Sequence, residues 1–200
     1  MNNNFGKITV MSRNRAKRHK RKFDAVLTIE CADQPLMQQL RFHNDNPPDH
    51  TILKFDDIHI HNEIVPGPLP EHALQIVNFG RKHKDSNLLI HCNAGQSRST
   101  AAGIIIITDR LGDGSEIEAI KTMDEMVEFS VPNLQLIKYA DEILNRNGSL
   151  VKALTEYENG KNCDFRLKSD DVHIQHWKRK FPTEALKLIH KRENNTIIER

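Results

Sequence analysis

The chain has 200 residues, 28% of them charged, with a formal net charge of +2. A chain of this length buries a substantial core, and one domain plus an appendage is the expected organisation. The near-neutral balance excludes a global field aimed at nucleic acid or acidic lipid, three scattered cysteines (Cys31, Cys92, Cys163) make neither a disulfide framework nor a CxxC metal pair, and no apolar run reaches the ~18 residues of a membrane span.

Cysteine usage of this kind suits a reducing cytoplasm, and the opening Met-Asn-Asn-Asn lacks the charged-then-apolar layout of a secretory signal. A cytoplasmic location is expected. Lys7 to Val10 reads as a short first strand. The block RNRAKRHKRK at 13–22 reads as a solvated helix or loop face, or more sharply as a patch for nucleic acid or an anionic substrate. FDAVLTI at 23–29 has the β-branched density of a buried strand, and TILKF at 51–55 is another. PGPLP at 66–70 is a rigid connector whose last proline can open a helix, with Ala73, Leu74, Val77 and Phe79 as the apolar face.

Leu88 to His91 is the next strand, followed by a helix from Thr100 to Arg110. Its four isoleucines have modest helix propensity, so burial must hold it. Gly112 to Gly114 breaks the chain, and Ser115 with Glu118 predicts a capping box. Ile117, Ile120 and Val127 mark one helical face. After the Val131-Pro132-Asn133 interruption, Leu134, Ile137, Ala140, Ile143 and Leu144 mark another, stopped by Gly148. Strands alternating with helices predict an α/β fold: a mostly parallel central sheet flanked by helices, with a helical C-terminal extension. In residues 149–200 the pattern weakens to one clear helical stretch, Thr183 to Lys191.

The chemistry concentrates in LLIHCNAGQSRST, residues 88–100. A thiol at the carboxyl end of a central strand lies where open α/β sheets bind ligands. The loop after it leads into a helix N-terminus, whose backbone N–H groups and dipole make an anion cradle. That field favours a thiolate at Cys92. Gly95 lets the loop curl toward a ligand, and Arg98 can fork two hydrogen bonds to an oxyanion. A thiolate on the floor of such a cradle is suited to phosphoryl transfer through a cysteinyl-phosphate.

HCNAGQSRS, residues 91–99, resembles the His-Cys-x5-Arg-Ser/Thr signature of the protein tyrosine phosphatase superfamily, and the span from Phe23 to Arg146 resembles its compact dual-specificity and bacterial branch. The resemblance implies a cysteine-phosphatase domain over 1–148, with 149–200 as an extension. It implies that Cys92 is the nucleophile, Arg98 the phosphate clamp, and Ser99 the hydroxyl that helps the thiolate leave. His91 would order the loop, and Asn93, Ala94, Gly95, Gln96 and Ser97 would line the substrate cradle. Asn133 resembles a family asparagine that braces the loop. The implied general acid is Asp57, 35 residues before Cys92, with Asp56 second. No tryptophan precedes that pair, since Trp177 is the only one, and no aromatic-bearing loop deepens the pocket. A cleft that takes phosphotyrosine and also phosphoserine or phosphothreonine is therefore implied, with a phosphorylated protein as substrate. Some relatives pair an early-strand cysteine with the nucleophile, which would give a reversible Cys31–Cys92 disulfide; Cys31 otherwise reads as a small buried side chain, and Cys163 as unimportant.

Rival readings keep the same loop or leave it. A phosphoinositide or RNA 5′-phosphatase uses the same chemistry, and the basic block at 13–22 speaks for it. Rhodanese-like sulfurtransferases lack the following Arg-Ser, and arsenate reductases need partner cysteines. His59 and His61 have metal-ligand spacing, extendable to His50 or His91, yet no acidic cluster or second ligand pair completes a site, and eleven histidines make chance alternation easy. No Walker loop or dinucleotide fingerprint is present. Neither a metal nor a cofactor is expected.

Overall fold

In the computed structural model, residues 6–43, 46–58 and 66–160 are described. All belong to one unit that ends at Lys161. Four strands form an all-parallel sheet: β1 (Ile8–Ser12), β2 (Ala25–Glu30), β3 (Asp49–Lys54) and β4 (Leu88–Cys92), in the order β1-β4-β2-β3. A parallel sheet is covered on both faces, so its central strands read as near-continuous apolar runs. β2 (AVLTIE) and β4 (LLIHC) are buried at every position, with Thr28, Glu30 and His91 as polar exceptions.

The helices are α1 (Arg13–His19), α2 (Pro70–Lys82), α3 (Arg98–Leu111), α4 (Glu116–Met126), α5 (Leu134–Ile143) and α6 (Ser149–Asn159). α3 is buried from Arg98 through Thr108, which is how a helix rich in isoleucine is held. It packs between α2, α4 and α5, and the core joins these helices to one face of the sheet. α1 covers part of the other face through a small cluster of Ala16, Val26, Leu40 and Leu89.

Several expectations need correction. In α2 the buried face is Ala73, Ile76, Val77 and Phe79, and Leu74 points to solvent. In α4 it is Ala119, Ile120 and Met123, and Ile117 is exposed. An apolar residue one position off the stripe still reads as part of it, but a 3.6-residue period turns it away from the core. The Ser115–Glu118 capping box does not form: the Ser115 hydroxyl donates to the Gly112 carbonyl instead. Gly148 does not end α5, which stops at Ile143. It sits at φ 86° directly before α6, a left-handed conformation that suits glycine. α6 in turn contributes Leu150 and Leu154 to the core. The predicted helix at 183–191, Cys163, Trp177 and the His59–His61 pair lie outside the described residues.

Candidate active site

The carboxyl ends of the four strands deliver the site. β4 ends at Cys92, β3 runs into Phe55-Asp56-Asp57, β2 into Cys31, and β1 into α1. The loop 93–97 crosses from β4 to α3. Gly95 adopts φ 83°, and a Cβ there would lie 2.6 Å from the Ser12 nitrogen and 2.7 Å from the Met11 carbonyl carbon. No side chain fits, so the loop curls tightly only because this residue is glycine. The Gly95 N–H points back at the Cys92 sulfur, 3.3 Å away, and the Ser99 hydroxyl lies 3.2 Å from the same sulfur. α3 has no acidic residue in its first turn, so its dipole is directed at the loop without an internal counter-charge.

Arg98 is 3% exposed. One of its terminal nitrogens donates to the Phe55 carbonyl at 2.6 Å, the other to the Cys31 sulfur at 3.5 Å, and its Nε has no hydrogen-bond partner. A guanidinium has five N–H donors, so these contacts fix its plane and leave donors for an anion. Burial opposes its charge, but the Asp57 carboxylate and the two cysteine sulfurs outweigh that and raise its pKa.

Asp57 joins the same loop. Its Oδ1 accepts from the Ser97 hydroxyl and the Asn133 amide, each at 2.8 Å, and its Oδ2 lies 3.7 Å from Arg98 Nε. Asn133 also caps α5 by accepting from Leu136 N–H at 3.1 Å and donates to the Ile58 carbonyl at 3.1 Å. Its backbone N–H donates to the Ser97 carbonyl at 3.3 Å, while Val131 N–H donates to Gln96 at 2.8 Å. One asparagine thus ties the acid-bearing segment, the signature loop and a helix start together. Asp56 is buried at 4% exposure beside Cys31. The neighbouring aspartates therefore face different surroundings. Burial, and secondarily Asp56, raise the Cys31 pKa against the opposing pull of Arg98. Cys31 and Cys92 are both free thiols.

Behind Cys92 runs a chain that sequence reading missed. His91 Nδ1 lies 3.2 Å from the Cys92 carbonyl, which only accepts, so Nδ1 carries the proton. Burial holds the His91 pKa down to about 4 and the His50 pKa likewise to about 4, so both rings are neutral at pH 7. His91 Nε2 must then accept from the Thr28 hydroxyl at 2.8 Å, and Thr28 Oγ1 must accept from His50 Nε2–H at 2.8 Å. Parallel pairing sets Thr28 beside His91. Residues 28, 50 and 91 share no sequence motif, and only the strand register brings them together.

Fold and site together define a class: a parallel α/β domain with a cysteine-centred anion loop between its last strand and a buried helix. Solved structures share this fold. DUSP15 aligns over 78% of this chain and 95% of its own, with a TM-score of 0.51 and 21% identity. PTPMT1 in complex with PI(5)P aligns over 74% and 94%, with a TM-score of 0.50 and 13% identity. A mutant form of Tk-PTP aligns over 71% and 92%, with a TM-score of 0.50 and 19% identity. The chain shares the fold of these phosphatase structures, the fold expected from the resemblance of residues 91–99. No sequence-family model and no curated protein sequence matches it.

Proposed function

We propose that this protein is a metal-independent cysteine phosphatase that hydrolyses phosphate monoesters, with phosphorylated proteins as its first substrate class. The observation that carries the reading is Asp57: Ser97 and Asn133 hold its carboxylate 3.7 Å from Arg98 Nε, beside the loop that begins at Cys92. Nucleophile, anion clamp and acid converge on one loop, and their joint presence at a helix N-terminus is what phosphoryl transfer requires.

In the first step the Cys92 thiolate attacks phosphorus. The ester P–O bond breaks, and the leaving oxygen takes a proton from Asp57. Arg98 and the N–H groups of residues 93–97 hold the phosphoryl oxygens, replacing water with fixed donors. In the second step Asp57 accepts a proton from water as its oxygen attacks phosphorus. The S–P bond breaks, and the Ser99 hydroxyl stabilises the departing thiolate from 3.2 Å. Inorganic phosphate is released. A reduced, cytoplasmic setting suits a catalytic thiol, and both described cysteines are free. Among the described residues no helix is long and apolar enough to cross a membrane. A phosphoinositide headgroup is the second substrate class, favoured by the basic helix that adjoins the loop.

The test is hydrolysis of p-nitrophenyl phosphate at pH 5 to 7 in the presence of EDTA. Wild type is expected to turn over and to be blocked by vanadate. Cys92→Ser is expected to lose all turnover. Full activity in Cys92→Ser, or loss of wild-type activity to EDTA, overturns the reading.

A further inference from the structure

A second surface adjoins the catalytic loop. α1 and the 3-10 turn that follows it (Lys20–Lys22) expose Arg15, Lys17, Arg18, Arg21 and Lys22. None of the five forms an ion pair among the described residues. Cations packed this closely without carboxylates repel one another and attract an anionic partner. Next to them, the loop after β2 carries Leu36 and Met37 on its own 3-10 turn, 83% and 94% exposed.

The two parts are one surface. Lys17 Nζ donates to the Met37 carbonyl at 3.2 Å, and the Lys20 ammonium donates to the Arg41 carbonyl and lies 4.6 Å over the Phe42 ring. The apolar tip is also anchored. Leu40 is 1% exposed, and Arg41 grips buried Glu30 through two bonds of 2.8 and 3.3 Å. Two large apolar side chains are therefore held out into solvent by a fixed base. Both elements are rooted at the site: Arg13 N–H donates to the Asn93 carbonyl at 3.1 Å, and Cys31 contacts Arg98.

We propose that α1 and the Leu36–Met37 turn form a docking surface for an anionic lipid bilayer. The cations meet the headgroup phosphates and carboxylates, where each is worth about fivefold in binding. The two apolar side chains enter the interfacial layer, as the apolar face of a peripheral anchor does. Charge complementarity together with an exposed apolar tip favours this partner over RNA. Single-stranded RNA is held by stacking bases on exposed aromatic rings. Here Phe23 and Phe42 pack down on Ala16, Val26, Leu40 and Leu89 instead. Docking would bring phosphorylated headgroups to the catalytic loop, a consequence that rests on the phosphatase reading; docking itself does not.

The experiment is cosedimentation of the full chain with phosphatidylcholine vesicles, with and without phosphatidylserine. Binding is expected only when phosphatidylserine is present, and is expected to fall with added salt. The triple variant Arg15→Glu, Arg18→Glu, Arg21→Glu should lose more than about 100-fold. Leu36→Ser with Met37→Ser should lose about fivefold, and Cys92→Ser should bind as wild type. Undiminished p-nitrophenyl phosphate turnover in the surface variants would show that they fold. Absent binding to phosphatidylserine vesicles, equal binding to neutral vesicles, or full binding by either surface variant overturns the proposal. So does tight binding of a single-stranded RNA oligonucleotide that vesicles fail to displace. Failed docking with intact turnover leaves the phosphatase reading standing, and lost turnover with intact docking does the reverse.

Discussion

Arg98 and Arg146 are buried almost equally, at 3% and 8% exposure, in contrasting surroundings. Arg146 follows α5 and faces two carboxylates. It donates to Asp113 at 2.5 Å and to Glu116 at 3.5 Å, and adds a bond to the Thr108 carbonyl at 3.1 Å. Its charge is matched within the fold, and it rivets the end of α3 to α4. Among the described residues Arg98 has one carboxylate, Asp57, at 3.7 Å and without a hydrogen bond between them. Its other contacts are a carbonyl and a thiol. Asp57 and the two cysteine sulfurs favour its charge against burial, yet among the described residues no carboxylate oxygen accepts a hydrogen bond from it. Burial alone therefore does not separate an arginine paired within the fold from one proposed to clamp phosphate. What differs between them is whether carboxylates already occupy the guanidinium's N–H donors.

The largest effect expected from this contrast is on turnover. Arg98→Lys keeps the charge but loses the planar fork, and should lower kcat/KM for p-nitrophenyl phosphate by about 10²- to 10³-fold with little change in Tm. Arg146→Met should do the opposite. It removes the cation beside buried Glu116, which keeps its Ser149 bond, and should cost roughly 3 kcal/mol, lowering Tm by about 6–12 °C, while activity per folded molecule stays at the wild-type level. Thermal scans paired with kinetics check both, and an Arg146 variant that lost turnover without losing stability would break the contrast.

Asp57 and Asp56 give a second test of the same idea. Asp57→Asn should lower turnover by about 10²-fold or more, with a larger loss on an alkyl phosphate, whose leaving group needs the proton, than on a nitrophenyl ester. Asp56→Asn, beside Cys31 rather than beside the loop, should cost far less. Equal losses on both esters in Asp57→Asn would remove it as general acid.

Sequence reading reached the signature loop, all four strands and most helices, because these depend on local pattern: apolar runs, glycine breaks and a nine-residue motif. It did not reach what is held by distant side chains. α6 starts without a cap of its own. Asp141, on α5, accepts from the N–H groups of Gly148, Leu150 and Val151 and supplies the missing acceptor. The choice between Asp56 and Asp57 was open for a similar reason. Adjacent residues are equivalent by spacing, and only the partners Ser97 and Asn133 distinguish them. Leu74 and Ile117 misled because a helix tolerates an exposed apolar residue beside its buried stripe.

The smallest predicted effect concerns the His50–Thr28–His91 chain. Thr28→Val keeps the shape and removes the hydroxyl that fixes the His91 tautomer. It leaves a buried ring nitrogen without its donor, at a cost of about 1–2 kcal/mol. The Cys92 carbonyl then loses a defined partner, and turnover should fall by a few-fold, with Thr28→Ser restoring it. The same chain sets an acid limit on stability. Burial depresses both histidines in the folded state. Around His50, Arg41 and Lys20 add to the depression while Glu30 and Asp49 oppose it. Around His91, the hydrogen bond to the Cys92 carbonyl and Glu30 oppose it, whereas His50 and Arg13 add to it. The unfolded chain binds these protons near the ordinary histidine value of 6.5, and the folded chain only near about 4. The unfolded state is thus the better proton binder between those values, and stability must rise with pH there. The contribution is full above pH 6.5, is lost as pH falls to about 4, and is level below. It amounts to at most roughly 3 kcal/mol from His91. Urea titrations at intervals across that window read the slope directly. A flat profile from pH 6.5 to 4 would mean that the two rings already carry their protons in the fold, and that the hydrogen-bond order from His50 to Cys92 is not the one deduced.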